Sequence, residues 1–377
     1  MKGTIRVREN RDGSKSYVCQ IKLGRDPGTG KARVLTGTAR SERAAHRLLH
    51  ELITKAEDRS QHASDATVAT VIEQWLATGG PAGEATRQVY AGYIRLHVLP
   101  ALGDVPLRKL GVADLERWYA ALRDKGLSPA SIRKAHTIVR AALAHAVRWG
   151  WAPTNVAALA RPPLVPKAVI ATPKPAAVRR MLAAAREHDP GLGVYLHLAA
   201  VTGARPGEMC GLRWSDIDFE RAELRINRRI LEVQPAPMVQ DLTKTGKTRR
   251  IPLDGTVLDL LVRYRAERES VAALCRVTLS PDGYVFSDSV DGSGFWRPDS
   301  TSRRFRKLRL DCGLDDVTLY SFRHQAATTM IDNGVDPKTV SERLGNSVAT
   351  VLGTYTRART EADRAAAEML GRLYAEE

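Results

Sequence analysis

Five short segments in the last half of the chain carry residues that could together cut and rejoin a phosphodiester. They supply two arginines, a lysine and a tyrosine in a fixed order. Such a cleavage needs a nucleophile, positive charge beside the phosphoryl oxygens and a proton for the leaving oxygen. Each segment alone is a weak signal, but the ordered set within a basic chain is a strong one. The segments are TGARPGEM (202–209), TKTGKTRRIPL (243–253), LYSFRH (319–324), LGNS (344–347) and TYTR (354–357).

These residue types fit a reaction that needs neither metal nor nucleotide. An arginine guanidinium can hold two phosphate oxygens at once and does not lose its charge. A tyrosine that attacks phosphorus leaves a phosphotyrosine, which stores the bond energy for rejoining. The sequence has no GxxxxGK[ST] loop and no carboxylate cluster of the two-metal nuclease type, and its four cysteines are scattered. We therefore expect no cofactor and no metal site.

The charge of the chain indicates a polyanionic partner. Lys and Arg number 58 against 42 Asp and Glu, which gives a net charge of +16 in 377 residues. Nucleic acid is the first interpretation and an anionic membrane the second. No apolar run approaches the ~20 residues of a membrane span, and the N-terminus lacks a signal-peptide core. We therefore expect a cytoplasmic, DNA-bound protein, with a length that suggests two or three domains.

The first 60 residues predict a small β-β-β-α unit. TIRVREN and SYVCQIKL alternate as strands do, a third strand follows near Val34, and Ser41 can cap a helix. Residues 1–40 contain ten Lys and Arg against three Asp and Glu, a net charge of +7. A sheet this basic favours binding in a DNA groove. A charged sheet that only keeps the domain soluble would show the same pattern.

Residues 67–160 predict four helices. Thr67 opens the first, Pro100 ends the second, and Ser128 caps the fourth, with a proline at its first position. The aromatic and aliphatic stripes of these helices indicate a hydrophobic core. The fourth helix also has a basic face, formed by Arg133, Lys134, Arg140 and Arg148. The helix pattern alone does not indicate the function of this face.

Five prolines between residues 160 and 175 predict a stiff, extended connector. The chain beyond it is predicted to be mainly helical, with one strand-rich insert. Residues 223–233 and the TRRIPL segment are the predicted strands, on either side of a turn at 244–247. Ser321 is predicted to cap a later helix, and Gly345 to end the one after it.

These motifs resemble those of the tyrosine recombinases, the phage-type integrases, over nearly the whole chain. The resemblance implies a mainly α fold with small β sheets in three domains. These are an N-terminal arm-site DNA-binding domain (1–60), a helical core-binding domain (67–160) and a mixed α+β catalytic domain with a C-terminal tail (171–377). It also implies a site-specific recombinase that integrates or excises a mobile element through a 3′-phosphotyrosine intermediate.

The resemblance assigns roles to individual residues. Arg205 and Arg323 match the two catalytic arginines. Lys244 matches the mobile lysine, which is the general acid, and Tyr355 matches the nucleophile. Glu208 matches the acidic position that supports the first arginine.

Two positions depart from the family pattern. Tyr320 stands where a histidine usually handles the proton of the nucleophile, and Asn346 stands where a histidine or tryptophan usually binds the scissile phosphate. Both side chains can hydrogen-bond, but tyrosine and asparagine do not titrate near neutral pH. The loss of one general base typically costs ~10²–10⁴-fold in rate, so the departures concern rate more than reaction type. We interpret His324 as structural or phosphate-adjacent.

The resemblance further implies duplex DNA attachment sites of core and arm type and a homotetramer that exchanges strands in a bacterial cytoplasm. Residues 360–377 would form a helix that links protomers, although a helix packed on its own domain would show the same pattern. An excisionase and a host DNA-bending protein are further expected partners. One alternative is a catalytically impaired relative that binds DNA for regulation, which Tyr320 and Asn346 favour. A type IB topoisomerase shares the chemistry but lacks the basic N-terminal unit.

Deletion of residues 1–60 tests the predicted second DNA site. We expect the truncated chain to lose binding to arm-type probes and to keep measurable binding to core probes, because the +7 charge of residues 1–40 is removed. Gel-shift titrations at several salt concentrations measure both. Arm binding by the intact chain should fall steeply with salt, since phosphate contacts release counterions. Equal arm-probe affinity with and without these residues would contradict the prediction.

Overall fold

The structure is a computed structural model of the 377-residue chain. It describes residues 3–10, 13–26, 28–60, 64–166, 173, 175–242, 248–355 and 368, with the side chains of 55–60 and 355 outside this description. The chain divides into two compact units, residues 1–167 and 168–377. Their boundary falls in the proline-rich segment that the sequence predicts as a connector.

The β-β-β-α arrangement predicted for the start of the chain is confirmed. Its three strands form one antiparallel sheet in the order β1-β2-β3, with Ile5 opposite Cys19 and Ile21 opposite Leu35. Alternate side chains on β2 therefore face the helix, where Cys19 and Ile21 are buried with Ala45. The elements are β1 (Gly3–Glu9), β2 (Lys15–Arg25), β3 (Ala32–Ala39) and α1 (Glu42–Ser60).

The rest of the first unit is helical. The Thr67 hydroxyl accepts a hydrogen bond from the Thr70 N–H, and the Ser128 hydroxyl accepts one from the Ser131 N–H, so both predicted caps are confirmed. A hydrophobic core separate from that of the β-α unit lies between the helices. The helices are α2 (Val68–Gly79), α3 (Glu84–Tyr93), α4 (Leu99–Leu102), α5 (Val112–Asp124), α6 (Pro129–Arg148) and α7 (Val156–Leu159).

The prediction that Pro100 ends the second helix is wrong. A π-helical turn over Ile94–Val98 joins α3 to α4, and the chain stays helical through Pro100 to Leu102. A proline ring normally contacts the carbonyl four residues earlier in an α-helix. The wider π turn before Pro100 relieves that contact, so the proline is tolerated.

One buried carboxylate connects the β-α unit to the start of the helical part. Asp26 accepts hydrogen bonds from the Ser64 hydroxyl at 2.5 Å and from the backbone N–H groups of Asp65 and Thr29 at 2.9 and 2.8 Å. Burial raises the pKa of Asp26, but these hydrogen bonds outweigh it and lower the pKa. The first unit therefore has a polar contact between its two parts. Their division into separate arm-binding and core-binding domains remains a prediction.

The second unit is mainly helical and has two small antiparallel sheets, as predicted. The strand orders are β4-β5-β8 and β6-β7. The helices are α8 (Pro175–His188), α9 (Pro190–Thr202), α10 (Pro206–Cys210), α11 (Gly255–Leu274), α12 (Pro298–Asp311), α13 (Leu319–Asp332), α14 (Pro337–Leu344) and α15 (Val348–Tyr355). The strands are β4 (Ile217–Asp218), β5 (Glu223–Ile226), β6 (Arg228–Leu231), β7 (Met238–Asp241) and β8 (Arg249–Pro252).

Two local predictions for this unit are wrong. Residues 223–233 form two strands instead of one, because the chain changes sheets at Asn227, whose side chain donates to Asp216 Oδ1. Ser321 does not cap α13, which begins at Leu319. Its hydroxyl instead accepts a hydrogen bond from the Thr318 N–H, one half of a capping box in which Thr318 is the cap.

The core of the second unit is continuous from α8 to α13 and is centred on aromatic rings. Tyr195 of α9 packs edge-on against Phe286, and Phe305 of α12 packs against Phe322 of α13. A smaller apolar cluster joins α13, α14 and α15. The segments that carry the arginine motifs are therefore fixed on packed helices. Within the described part of the chain, no helix combines the length and apolar character that a membrane crossing requires.

Candidate active site

The first arginine motif lies at the end of α9. Gly203 ends this helix in a left-handed conformation with φ of 62°, which favours glycine. A Cβ at this position would also lie 2.4 Å from the Leu344 side chain. The turn leads directly to Arg205, which is the residue before α10. Gly203 therefore sets the direction of the chain at Arg205 and allows α9 to pack closely against α14.

Glu208 fixes Arg205 from one turn of helix away. Its carboxylate accepts from Arg205 Nη1 at 2.9 Å and from the Arg205 backbone N–H at 2.9 Å. The same carboxylate accepts from Arg249 Nη2 at 2.7 Å and Nη1 at 3.2 Å. Burial raises the pKa of Glu208, but the contacts with Arg249 and Arg205 outweigh it and lower the pKa below its ordinary value. Glu208 is therefore ionised at neutral pH and contacts Arg205; its role as the support of a catalytic arginine remains a prediction.

Arg323 lies on α13 and is almost fully buried, with 4% of its surface exposed. Its Nη1 donates to the Gly203 carbonyl at 2.6 Å, and its Nη2 donates to the Leu344 carbonyl at 2.7 Å. Both carbonyls lie at C-terminal ends of helices, where the helix dipole favours a cation. These two contacts hold the guanidinium between α9 and α14.

Asn346 brings the two arginines together. Its Oδ1 accepts from Arg205 Nη2 at 2.9 Å and from Arg323 Nη2 at 2.8 Å. Both partners are donors only, which fixes the amide with its oxygen toward them. Gly345, left-handed with φ of 64°, ends α14 and turns the chain so that Asn346 faces this point. The structure thus places two guanidinium groups around a single oxygen atom.

Two surface cavities, each of about 500 Å³, flank this contact. One is lined by Arg205, Glu208 and Tyr320, and the other by Arg249 and Asn346. Tyr320 lies at the start of α13 and is 51% exposed. Further arginines line the first cavity: Arg229, Arg306 and Arg309.

His324 follows Arg323 on α13 and is partly buried. Burial lowers its pKa, and the neighbouring Arg323 charge lowers it further. His324 is therefore predominantly neutral at neutral pH. It is not among the residues that line the cavity beside Tyr320.

Two of the residues predicted from the sequence fall outside the described groups. Lys244 lies in the segment 243–247, between β7 and β8. Tyr355 is the last residue of α15, and its side chain is not described. The segment 360–377 likewise falls outside the described residues, apart from position 368. The roles of these residues remain predictions.

The sequence interpretation missed Arg249 as a site residue. The Arg249 side chain is 8% exposed and binds Glu208. An available signal was the alternation along TRRIPL, which places Arg249 and Ile251 on the same face of a strand. Since Ile251 is apolar, that pattern predicts an inward-facing arginine.

Comparison with known proteins shows the family of the chain. Residues 174–362 match the model of the phage integrase family, and residues 67–123 match its N-terminal SAM-like domain. The chain belongs to the phage integrase family. It is a tyrosine-type site-specific recombinase, an enzyme that cuts and rejoins DNA to integrate or excise a mobile element, which confirms the interpretation of the motifs.

Relatives of this integrase span most of its length. The protein named tyrosine recombinase XerC-like from Caldanaerobacter subterraneus subsp. tengcongensis is 25% identical over 343 residues, covering 82% of this chain and 84% of the relative. The integrase of Streptomyces ambofaciens is 27% identical over 358 residues, covering 89% and 87%.

Solved structures share the fold. The Tn1549 transposon integrase in complex with a circular intermediate DNA gives a TM-score of 0.71 at 18% identity, covering 81% of this chain and 99% of that one. A lambda integrase tetramer bound to a Holliday junction gives a TM-score of 0.58 at 19% identity, covering 94% and 96%. The predicted mainly helical fold with small sheets is thereby confirmed.

Asn346→Asp tests whether the point between the two arginines is an anion position. The carboxylate would bind Arg205 and Arg323 as an ion pair and compete with a DNA phosphate there, so we expect cleavage to slow about 100-fold. Single-turnover cleavage of attachment-site DNA measures this. Ser347→Asp is the matched control, because it adds the same charge one residue further on, at the exposed cap of α15. Equal rates for both variants would contradict the prediction.

Proposed function

We propose that this integrase binds the scissile phosphate between Arg205 and Arg323, at the point where Asn346 Oδ1 lies. The convergence of both guanidinium groups on that one oxygen, at 2.9 and 2.8 Å, is the observation that carries the proposal. A non-bridging phosphate oxygen has the same hydrogen-bonding requirement and a negative charge in addition. The phosphate would therefore displace the amide oxygen.

Asn346 then has a second role. Rotation of the amide by half a turn directs its N–H groups toward the bound phosphate, which the oxygen no longer blocks. The residue would thus donate to the phosphate, as the family histidine or tryptophan does. This exchange needs only a side-chain rotation, so the backbone turn at Gly345 can stay as it is.

The proposed reaction combines this phosphate position with the roles that the family resemblance assigns to Tyr355 and Lys244. The Tyr355 hydroxyl loses its proton to water and attacks phosphorus, a bond from phosphorus to the tyrosine oxygen forms, and the bond from phosphorus to the 5′ oxygen breaks. Lys244 gives a proton to that 5′ oxygen, and the DNA 3′ end remains attached to Tyr355. The two arginines stabilise the negative charge that gathers on the phosphoryl oxygens in the transition state. Attack by a 5′ hydroxyl of a second strand reverses the step and joins the DNA.

The proposed partners are duplex DNA attachment sites of core and arm type. The charge of +16 supports this, as do the DNA complexes among the solved structures of similar fold. We propose a homotetramer on DNA, because the lambda integrase of similar fold is a tetramer on a Holliday junction. An excisionase and a host DNA-bending protein remain proposed accessory partners, and the bacterial cytoplasm the proposed location.

Covalent capture tests the nucleophile. Tyr355→Phe lacks the attacking hydroxyl, so we expect it to form no covalent adduct on a nicked suicide substrate while binding DNA as the unaltered chain does. Denaturing gels detect the adduct, and gel shifts measure the affinity. An adduct from the Phe variant would show that another residue is the nucleophile. If the unaltered chain forms none, the regulatory alternative is favoured over catalysis.

The pH dependence of cleavage separates Tyr320 from His324. If Tyr320 occupies the second site position, the single-turnover rate should change little between about pH 5.5 and 7.5, since a tyrosine does not titrate there. If His324 is the base, the rate should rise with a midpoint below pH 6.5, because its pKa is lowered. Tyr320→Phe and His324→Ala are the paired variants. A large loss in His324→Ala with none in Tyr320→Phe would reverse the assignment.

A further inference from the structure

Arg249 is a buried cation in contact with the proposed site. It begins β8, and 8% of its side chain is exposed. Two of its nitrogens bind Glu208, while its Nε donates to the Arg343 carbonyl at 2.8 Å. All three nitrogens of the guanidinium are thus engaged by the protein, so Arg249 is held by the fold and not directed at DNA.

The contacts of Arg249 join three separate segments. Glu208 lies on α10, Arg343 lies on α14, and Arg249 itself lies on β8. A Cβ at Gly345 would lie 3.0 Å from Arg249 Nη1, so the turn that presents Asn346 packs directly on this guanidinium. Arg249 therefore touches the supports of both the first catalytic arginine and Asn346.

Arg249 also changes the net charge of the group around Glu208. Glu208 is 3% exposed and carries one negative charge, whereas Arg205, with 31% of its side chain exposed, faces the cavity. With Arg205 alone, the pair would be neutral and would attract a phosphate weakly. With Arg249 as well, the group of three carries a net charge of +1. Because Coulomb energies are larger in a partly desolvated site than in water, this charge strengthens phosphate binding.

The hydrogen bonds to Glu208 also indicate that Arg205 and Arg249 share this carboxylate. Glu208 accepts four hydrogen bonds on its two oxygens, two from Arg205 and two from Arg249. A carboxylate has about four lone-pair positions, so the set is complete. Loss of the Arg249 pair would leave a buried carboxylate half satisfied and free to draw the Arg205 side chain toward itself.

We propose that Arg249 is a positioning residue for DNA cleavage: it shares Glu208 with Arg205, and so keeps Arg205 aimed at the scissile phosphate with its charge available. The inference rests on the proposed role of Arg205. Arg249 itself would contact neither DNA nor the reacting atoms, and its effect would pass through Glu208.

Three variants of the full chain test this. Arg249→Met removes the charge and both hydrogen bonds to Glu208. Arg250→Met is the matched control, because Arg250 is the next residue of the same strand and pairs at 3.5 Å with Glu223, with 56% of its side chain exposed. The double variant Arg249→Met/Glu208→Gln removes the buried negative charge as well. The readouts are single-turnover covalent capture at saturating DNA, the Kd for DNA, and thermal unfolding.

We expect Arg249→Met to slow capture about 100-fold, as displacement of a catalytic group does, whereas the Kd for DNA should rise far less, because one site charge is lost among many phosphate contacts. Arg250→Met should capture DNA at the unaltered rate. The double variant should be faster than Arg249→Met, because the amide oxygen that Glu208→Gln introduces still accepts from Arg205 without neutralising its charge. A role in folding alone would not produce this recovery in protein that is already folded and saturated with DNA.

The inference is overturned if Arg249→Met captures DNA at the unaltered rate, or if the double variant is no faster than the single one. If Arg249→Met does not fold, Arg249→Lys is measured in its place. Lysine keeps the charge but loses the two-point contact, so we expect slower capture with unchanged Kd, and an unaltered rate overturns the positioning role. A failure of the unaltered chain to form any adduct would instead contradict the proposed function, so the two failures are distinguishable.

Discussion

The site depends on one buried carboxylate. Glu208 is taken out of water beside two guanidinium groups, and an ion in such a place is stable only if its hydrogen bonds are complete. Arg205 and Arg249 complete them from two different elements, the start of α10 and the start of β8. The carboxylate thereby fixes the position of the strand relative to the helix. Removal of either arginine would leave the buried carboxylate with half of its hydrogen bonds, which is costlier than the loss of a surface ion pair.

The ends of two helices position the second arginine of the site, Arg323. α9 and α14 both terminate at left-handed glycines, Gly203 and Gly345, so that their last carbonyls converge on the buried Arg323. Helix C-termini carry partial negative charge, so these two carbonyls stabilise the buried guanidinium of Arg323. Arg205 is held differently, through a carboxylate that it shares with a second arginine.

Local sequence signals were reliable where the local chain decides the structure. The β-β-β-α unit follows from strand alternation and a capping serine, and the caps at Thr67 and Ser128 are where their side chains predict them. The signals failed where a departure from the regular helix or strand decided. Pro100 lies inside a helix because a π turn precedes it. Residues 223–233 divide because β5 pairs with β4 and β8, whereas β6 pairs with β7.

The sequence by itself determined the chemistry and the family, since the types and order of Arg205, Arg323 and Tyr355 limit the reaction before any coordinate is considered. The family resemblance added the expectation that Glu208 supports the first arginine, since Glu208 matches the acidic position of that motif. Tertiary structure alone decided that Asn346 Oδ1 accepts from both arginines and that Arg249 completes Glu208. Those partners are 141, 23 and 41 positions apart. Contacts at such separations arise from the packing of α9, α13, α14 and β8 around one core, which no local pattern encodes.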